Sequence, residues 1–296
     1  MSVNARDFRV CSDKGICLKN YESNWLPKWI DQENHRGLKQ QALVVLEENR
    51  QKLIHEQELL WASDSYAMLI ILQGMDAAGK DSTIRHVMSG VNPQGCRVTS
   101  FKTPSAEELK HDFLWRHIKM LPERGSIGIF NRSYYEDVLI VKVRSDVFAK
   151  QKLPPIENKE RFWEHRYEDI NSFERHLTRC GTLVLKFYLH ISKKEQKKRL
   201  LKRLENPAKA WKFSLTDIEE RTKWSEYEKA YEEMLNKTST KWAPWYVVPA
   251  DRKWVAHALV SEVITTEIKK LNLEYPALSE TKKRELAAAK AELEKE

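Results

Sequence analysis

The sequence predicts an α/β fold built on a doubly wound, five-stranded parallel sheet. Three observations lead there. Short apolar runs recur at 67–72, 97–101, 126–130, 182–189 and 245–248, each of strand length. The first, AMLIIL, shows no polar alternation, as expected of a central strand covered on both faces. Between the runs lie segments long enough for helices, and strands that alternate with helices form parallel sheets.

In chain order, residues 1–60 read as an arm followed by a helix laid on the core. The first 36 residues are mixed in charge and show no sustained period. From 37 to 62, Leu38, Leu43, Val44, Leu46, Leu53, Leu59 and Leu60 recur at helical spacing among Glu, Gln and Lys. The core covers 61–275. Within it, 192–239 is helical, basic and aromatic, which is the composition of a lid inserted between the fourth and fifth strands. Residues 276–296 read as a charged, solvated helix.

Composition narrows the functions. The 296 residues are 41% hydrophobic and 32% charged, enough apolar material for one buried sheet with a polar surface. A net charge of +8 attracts polyanions: nucleotides, polyphosphate, nucleic acid or an anionic membrane. The run 67–72 falls far short of the roughly 20 apolar residues that cross a bilayer, so no span is expected. The opening MSVNARDFRVCSDKG lacks an apolar signal core. Cys11, Cys17, Cys96 and Cys180 are too sparse for a disulfide framework, so the sequence predicts a cytoplasmic protein with reduced thiols.

The loop GMDAAGKDST, Gly74 to Thr83, follows the first strand and opens a helix, which gives a GxxxxGK match its meaning. Gly74 and Gly79 permit a tight turn. The backbone N–H groups of Met75, Ala77, Ala78, Gly79, Lys80, Asp81, Ser82 and Thr83 can then converge on phosphate, aided by the helix N-terminus. Lys80 neutralises a transferring phosphate. Asp81 stands where a Mg²⁺-binding Ser or Thr is usual, with Ser82 and Thr83 directly after it. Asp76, inside the loop, either organises hydrated Mg²⁺ or braces the turn, and the metal role explains a carboxylate beside phosphate.

The third strand ends in NRSYYED. Asn131 can orient a metal-bound water, Arg132 can reach a phosphate or form a structural ion pair, and Glu136 and Asp137 add carboxylates, Glu136 being the second candidate metal ligand. In the lid, Lys193, Lys194, Lys197, Lys198, Arg199, Lys202 and Arg203 crowd one helix. With Leu200, Leu201 and Leu204 as its inward stripe, Arg199 and Arg203 share a face, forming either a polyanion channel or a solvated basic surface. Trp211 and Phe213 could stack a base, but packing is the commoner use of such residues. Trp115, Trp163, Trp224, Trp242, His111, His117 and His165 read as structural or surface groups.

The stretches GMDAAGKDST, FKTPSAEELKHDFLWR, FNRSYYEDVL and NPAKAWKFSLTDIEER, in this order, resemble the family-two polyphosphate kinases, specifically their class III members. The resemblance implies a thymidylate-kinase-like P-loop domain with a helical lid, assembled as a dimer or tetramer. It implies Mg²⁺-dependent transfer between polyphosphate and AMP, ADP or ATP, with guanine nucleotides as further acceptors. Asp76, Lys80 and Arg132 take the loop-acid, loop-lysine and post-strand arginine roles, and Lys209 and Lys212 fall in the lid stretch as phosphate- or nucleotide-binding candidates. Other classes carry Asp in place of Asn131 and Asn in place of Glu136, which supports class III and argues against direct metal ligation by Asn131. An ATP-dependent nucleoside or nucleoside monophosphate kinase would share the loop. A P-loop nucleic-acid-binding module would exploit the same charge, but the basic residues cluster in one segment and no RNA-binding or helix-turn-helix signature appears. No nucleic-acid or membrane partner is expected.

Overall fold

The structure is a computed structural model that describes residues 5–10, 15–26, 35–211 and 213–296. Cys11 and Lys212 lie outside the described residues. The elements are α1 (His35–Ser63), β1 (Ala67–Gln73), α2 (Lys80–Val87), β2 (Cys96–Ser100), α3 (Trp115–Ile118), β3 (Ile127–Asn131), α4 (Ile140–Val143), α5 (Ser145–Ala149), α6 (Lys159–Arg179), β4 (Thr182–His190), α7 (Lys193–Leu204), α8 (Pro207–Ala210), α9 (Thr216–Thr222), α10 (Trp224–Thr238), β5 (Trp245–Pro249), α11 (Lys253–Lys269) and α12 (Glu280–Leu293). All five expected strands form, and they pair in parallel in the order β2-β3-β1-β4-β5.

Every residue of β1 is buried, as its unbroken apolar run requires. Helices α1, α2 and α11 pack together as one layer, and α6 with α10 supplies the other. The buried face of α1 runs through Leu38, Ala42, Leu46, Asn49, Leu53, Gln57 and Leu60, the three- and four-residue steps of a helix. Leu43 and Val44, counted in that stripe from sequence, instead face solvent. Asn49 binds Glu262 of α11 at 2.9 Å and so fixes the pairing of the two helices.

The arm covers a sheet edge. Arg9 bridges antiparallel to Tyr246, Val10 N donates to the Trp245 carbonyl at 2.8 Å, and Phe8 meets Trp25 edge-on. This satisfies backbone groups that an open edge strand would leave free.

The segment expected as a lid divides in two. Helices α7, α8 and α9 are largely exposed, but α10 buries Trp224, Tyr231, Met234 and Leu235 and belongs to the core. α12 is wholly exposed and carries ion pairs such as Lys283–Glu280, as its charged sequence predicted.

Leu53 is completely buried. Leu53→Ala should lower the unfolding free energy by about 2–5 kcal/mol, and deletion of 276–296 should leave the chemical denaturation midpoint unchanged.

Candidate active site

Ligands of open parallel sheets bind beyond the strands' carboxyl ends, where connections leave in opposite directions. Here that point is the end of the central strand β1, and the glycine loop occupies it. Gly74 has no room for a side chain, since a Cβ would sit 2.9 Å from the Leu189 carbonyl. Gly79 has φ +112°, a conformation that favours glycine.

The loop's shape is held from outside by α7. Gln196 donates to the Asp76 carbonyl at 3.0 Å, and Arg199 Nη1 donates to the Ala77 and Ala78 carbonyls at 3.1 and 2.8 Å. A trans peptide sets its N–H opposite its C=O. Carbonyls drawn toward α7 therefore turn the Ala77 and Gly79 N–H groups the other way. Arg199 also binds the Ala250 and Asp251 carbonyls at 2.6 and 3.0 Å and Glu195 at 2.9 Å. These five contacts occupy the five N–H donors of a guanidinium. In this arrangement Arg199 braces the loop.

Lys80 is buried, and its Nζ donates to the Gly74 carbonyl at 2.5 Å. Burial, with the Arg132 charge alongside, brings its ammonium down to about 8. Arg132 reaches across from the end of β3, with φ +64°, to Asp76 at 2.7 Å and Glu136 at 3.6 Å. The two carboxylates, Glu136 foremost, hold the guanidinium firmly charged. Asn131 donates to Asp81 at 2.7 Å and ties β3 to the start of α2.

Two hollows meet at Arg132 and Glu136, which line both. The smaller, about 50 Å³, lies between the loop and α7, α9 and α10, with Asp76, Glu136 and Glu220 among its walls. The larger, about 540 Å³, opens over the ends of β2 and β3, walled by Phe101, Lys102, Phe113, Arg116, Asp137 and Arg166 among others. Its size and its mixed lining, with the Phe101, Phe113 and Tyr134 rings among charged groups, suit a nucleoside. Arg116 lies over the Phe101 ring, and Arg166 lies over Phe113 while pairing with the buried Asp137 at 2.9 Å.

Toward β5 the charge is basic. Lys253, the first residue of α11, has an exposed side chain, and partial desolvation followed by the nearby Arg199, Lys209 and Lys202 lowers its ammonium's pKa. The site therefore has a cationic side at β5, a cleft-like side at β2 and β3, and the glycine loop between.

The family model described as Polyphosphate kinase 2 (PPK2) matches residues 37–276. The chain belongs to the polyphosphate kinase 2 family. A protein of Rhodopseudomonas palustris named ADP-polyphosphate phosphotransferase is 46% identical over 294 residues, 99% of each chain. An AMP/ADP-polyphosphate phosphotransferase of Meiothermus ruber is 44% identical over 92% of this chain and 95% of its own. The crystal structure of polyphosphate kinase 2 from Arthrobacter aurescens superposes with TM-score 0.85 at 38% identity, over 96% of each chain.

Within this family member, the loop residues Gly74 to Lys80 and the groups Asp76, Arg132 and Glu136 converge as expected. Several others do not. Ser82 turns its hydroxyl to His257 of α11 at 3.3 Å, and Thr83 is buried with its N–H bonded to Gly79, so neither side chain joins the loop's inner face. Leu200 is buried as expected, but Leu201 and Leu204 are exposed and Gln196 turns inward in their place, because only that face meets the loop. Arg203 pairs with Asp217 inside the lid at 3.2 Å. Trp211 is 75% exposed rather than packed. Among the described residues no group of three or more metal-ligating side chains forms a cage. Mg²⁺, however, is commonly held by one or two carboxylates together with substrate phosphates, and the hard oxygens of Asp76 and Glu136 beside the loop fit that use.

Sequence reasoning passed over Arg116, Arg166 and Lys253. Arg116 closes the stretch FKTPSAEELKHDFLWR, a signal that was available; Lys253 belongs to no recognised motif, and only the fold brings it to the lid's lysines.

Arg199→Lys keeps the charge but not the fork of donors. The Ala78 amide, which donates to the Met75 carbonyl within the loop, should then exchange about 5- to 30-fold faster, as expected from losing one or two hydrogen bonds of about 1 kcal/mol each, while the core amides stay protected. Unchanged loop exchange would contradict the brace.

Proposed function

We propose that this protein catalyses Mg²⁺-dependent phosphoryl transfer between inorganic polyphosphate and adenine nucleotides, converting AMP to ADP and ADP to ATP, reversibly. The observation that carries this reading is the placement of Arg132 where a basic approach and a nucleoside-sized cleft meet over the glycine loop. The names of the relatives support the donor and the adenine acceptors.

In this reading the acceptor base and ribose occupy the cleft walled by Phe101, Arg116 and Arg166, with the phosphates directed to Arg132. The donor chain approaches from Lys253, Lys202 and Lys209, and its terminal phosphate rests on the loop N–H groups and Lys80. An oxygen of the nucleotide's terminal phosphate attacks the terminal phosphorus of the chain, the bridging P–O bond breaks, and the shortened chain leaves with the electron pair. The acceptor is already largely dianionic because its second pKa is about 6, so no strong general base is required. The obstacle is repulsion between two polyanions, and Lys80 and Arg132 answer it by charge and position. Mg²⁺, held by Asp76 and Glu136, supplies further neutralisation of phosphate oxygens when bound. Guanine nucleotides as acceptors, a homo-oligomeric assembly and a cytoplasmic location complete the proposal.

The test is purified protein with Mg²⁺, polyphosphate and either AMP or ADP, in the absence of ATP, with products separated by chromatography. Formation of ADP and ATP is expected; phosphorylation that requires added ATP would identify an ATP-dependent nucleotide kinase instead. Lys80→Ala should reduce turnover by several orders of magnitude, and activity above about a tenth would contradict its role.

Lys80 also gives a pH signature. With its pKa brought down to about 8, a large share of Lys80 is neutral at pH 8.5 in the free protein. A bound polyanion favours the cation and raises that pKa, so binding takes up a proton. Calorimetry in buffers of different ionisation enthalpy should show this uptake, and Lys80→Met should abolish it.

A further inference from the structure

The turn that follows Arg132 is tied to a charged pair sealed from solvent. Glu174 of α6 and Lys186 of β4 are both completely buried and meet at 2.6 Å. Glu174 Oε1 accepts from the Tyr134 hydroxyl at 2.8 Å and the Tyr135 hydroxyl at 2.7 Å. Lys186 Nζ donates to Glu174 Oε2, to the Tyr135 hydroxyl at 2.8 Å and to the Thr238 carbonyl at 2.7 Å. All three ammonium protons are thereby placed.

Stability alone does not account for this pair. A buried ion pair is often replaceable by apolar residues of similar volume without loss of stability, because desolvation offsets the attraction. Directed hydrogen bonds offer something packing does not, namely one fixed arrangement of the groups they hold. Those groups are significant here. Tyr134 and Tyr135 fill the interval between Ser133 and Glu136, two and three residues beyond Arg132, at the start of the 3-10 turn Tyr134–Val138. Arg132 itself has φ +64°, which a bulky residue keeps only when its neighbours impose it. From the end of β1, Gln73 Nε2 adds a bond to Ser133 Oγ at 3.2 Å.

We propose that Glu174, oriented by Lys186, is a positioning residue of the active site that fixes Arg132 and Glu136 by gripping the hydroxyls of Tyr134 and Tyr135. Glu174 touches no substrate; it acts through the turn. The inference rests on the reading of Arg132 as the cation that meets the transferring phosphate. It also makes the site answerable to α10, since Thr238, whose carbonyl completes the Lys186 bonds, ends that helix.

The test is a double-mutant cycle on the full chain. Tyr134→Phe with Tyr135→Phe keeps both rings and removes both tethers. In the wild-type background this pair should lower kcat by about 10- to 100-fold, with KM for ADP and for polyphosphate changed less than about three-fold, because a displaced cation weakens the transition state more than binding. In an Arg132→Ala background the same pair should lower kcat by at least about five-fold less than in the wild type, the remainder reporting the displacement of Glu136, since effects of groups acting through one residue are not additive. Wild-type turnover in the Phe variant, or an equal loss in both backgrounds, would overturn the proposal. If the double variant does not fold, each single change enters the same cycle. A second readout needs no turnover: a crystal structure of the Phe variant should show the Arg132–Asp76 contact broken, and its retention would overturn the proposal even if the functional reading failed.

Discussion

The site depends on the contact between Arg132 and Asp76. It joins the end of β3 to the glycine loop after β1, two neighbouring strands whose register sets Ile71 against Phe130 and Leu72 against Asn131. The contact combines charge with a hydrogen bond at 2.7 Å, yet Arg132 stays about one-third exposed. It is therefore held without being sealed, and solvent screening keeps its contribution to stability small. Its value is geometric. A cation fixed at the mouth of both hollows is where two repelling phosphates can be brought together.

Much of the rest supports that placement. Arg199 and Gln196 hold the loop carbonyls toward α7, so that Arg132 faces a loop of fixed shape. Asn131 links the strand end to Asp81 at the start of α2. The sheet order puts β5 and its lysine-flanked approach on one side of the loop and β2 with its aromatic cleft on the other. In the proposed reading each polyanion has its own route, and like charges come close only at the centre.

The parts legible in the sequence were those set by backbone and composition. The strand β1 could be read because a strand buried on both faces must be apolar throughout, and the loop because glycine is needed at Gly74 and Gly79. Arg132 could be placed because it follows an apolar strand directly. Tertiary choices were not legible. The face that α7 turns inward is decided by the loop it braces, so Gln196 and Arg199 displace Leu201 and Leu204. Ser82 is drawn away by His257, 175 positions distant in the chain. A helical, aromatic segment gave no sign that α10 would be core while α7 to α9 would not. Glu174 and Lys186 read as ordinary charges in a helix and a strand, and only the fold shows that they are buried together.

The central claim is that donor and acceptor enter from opposite sides of the glycine loop and meet at Arg132. A crystal structure with a short polyphosphate and AMP bound tests it most directly. The account predicts the adenine ring in the cleft of Phe101, Arg116 and Arg166, the polyphosphate chain along Lys80 and Lys253, and Arg132 within hydrogen-bond distance of phosphate from both. A nucleotide bound on the β5 side, or a polyphosphate chain lying in the aromatic cleft, would contradict it.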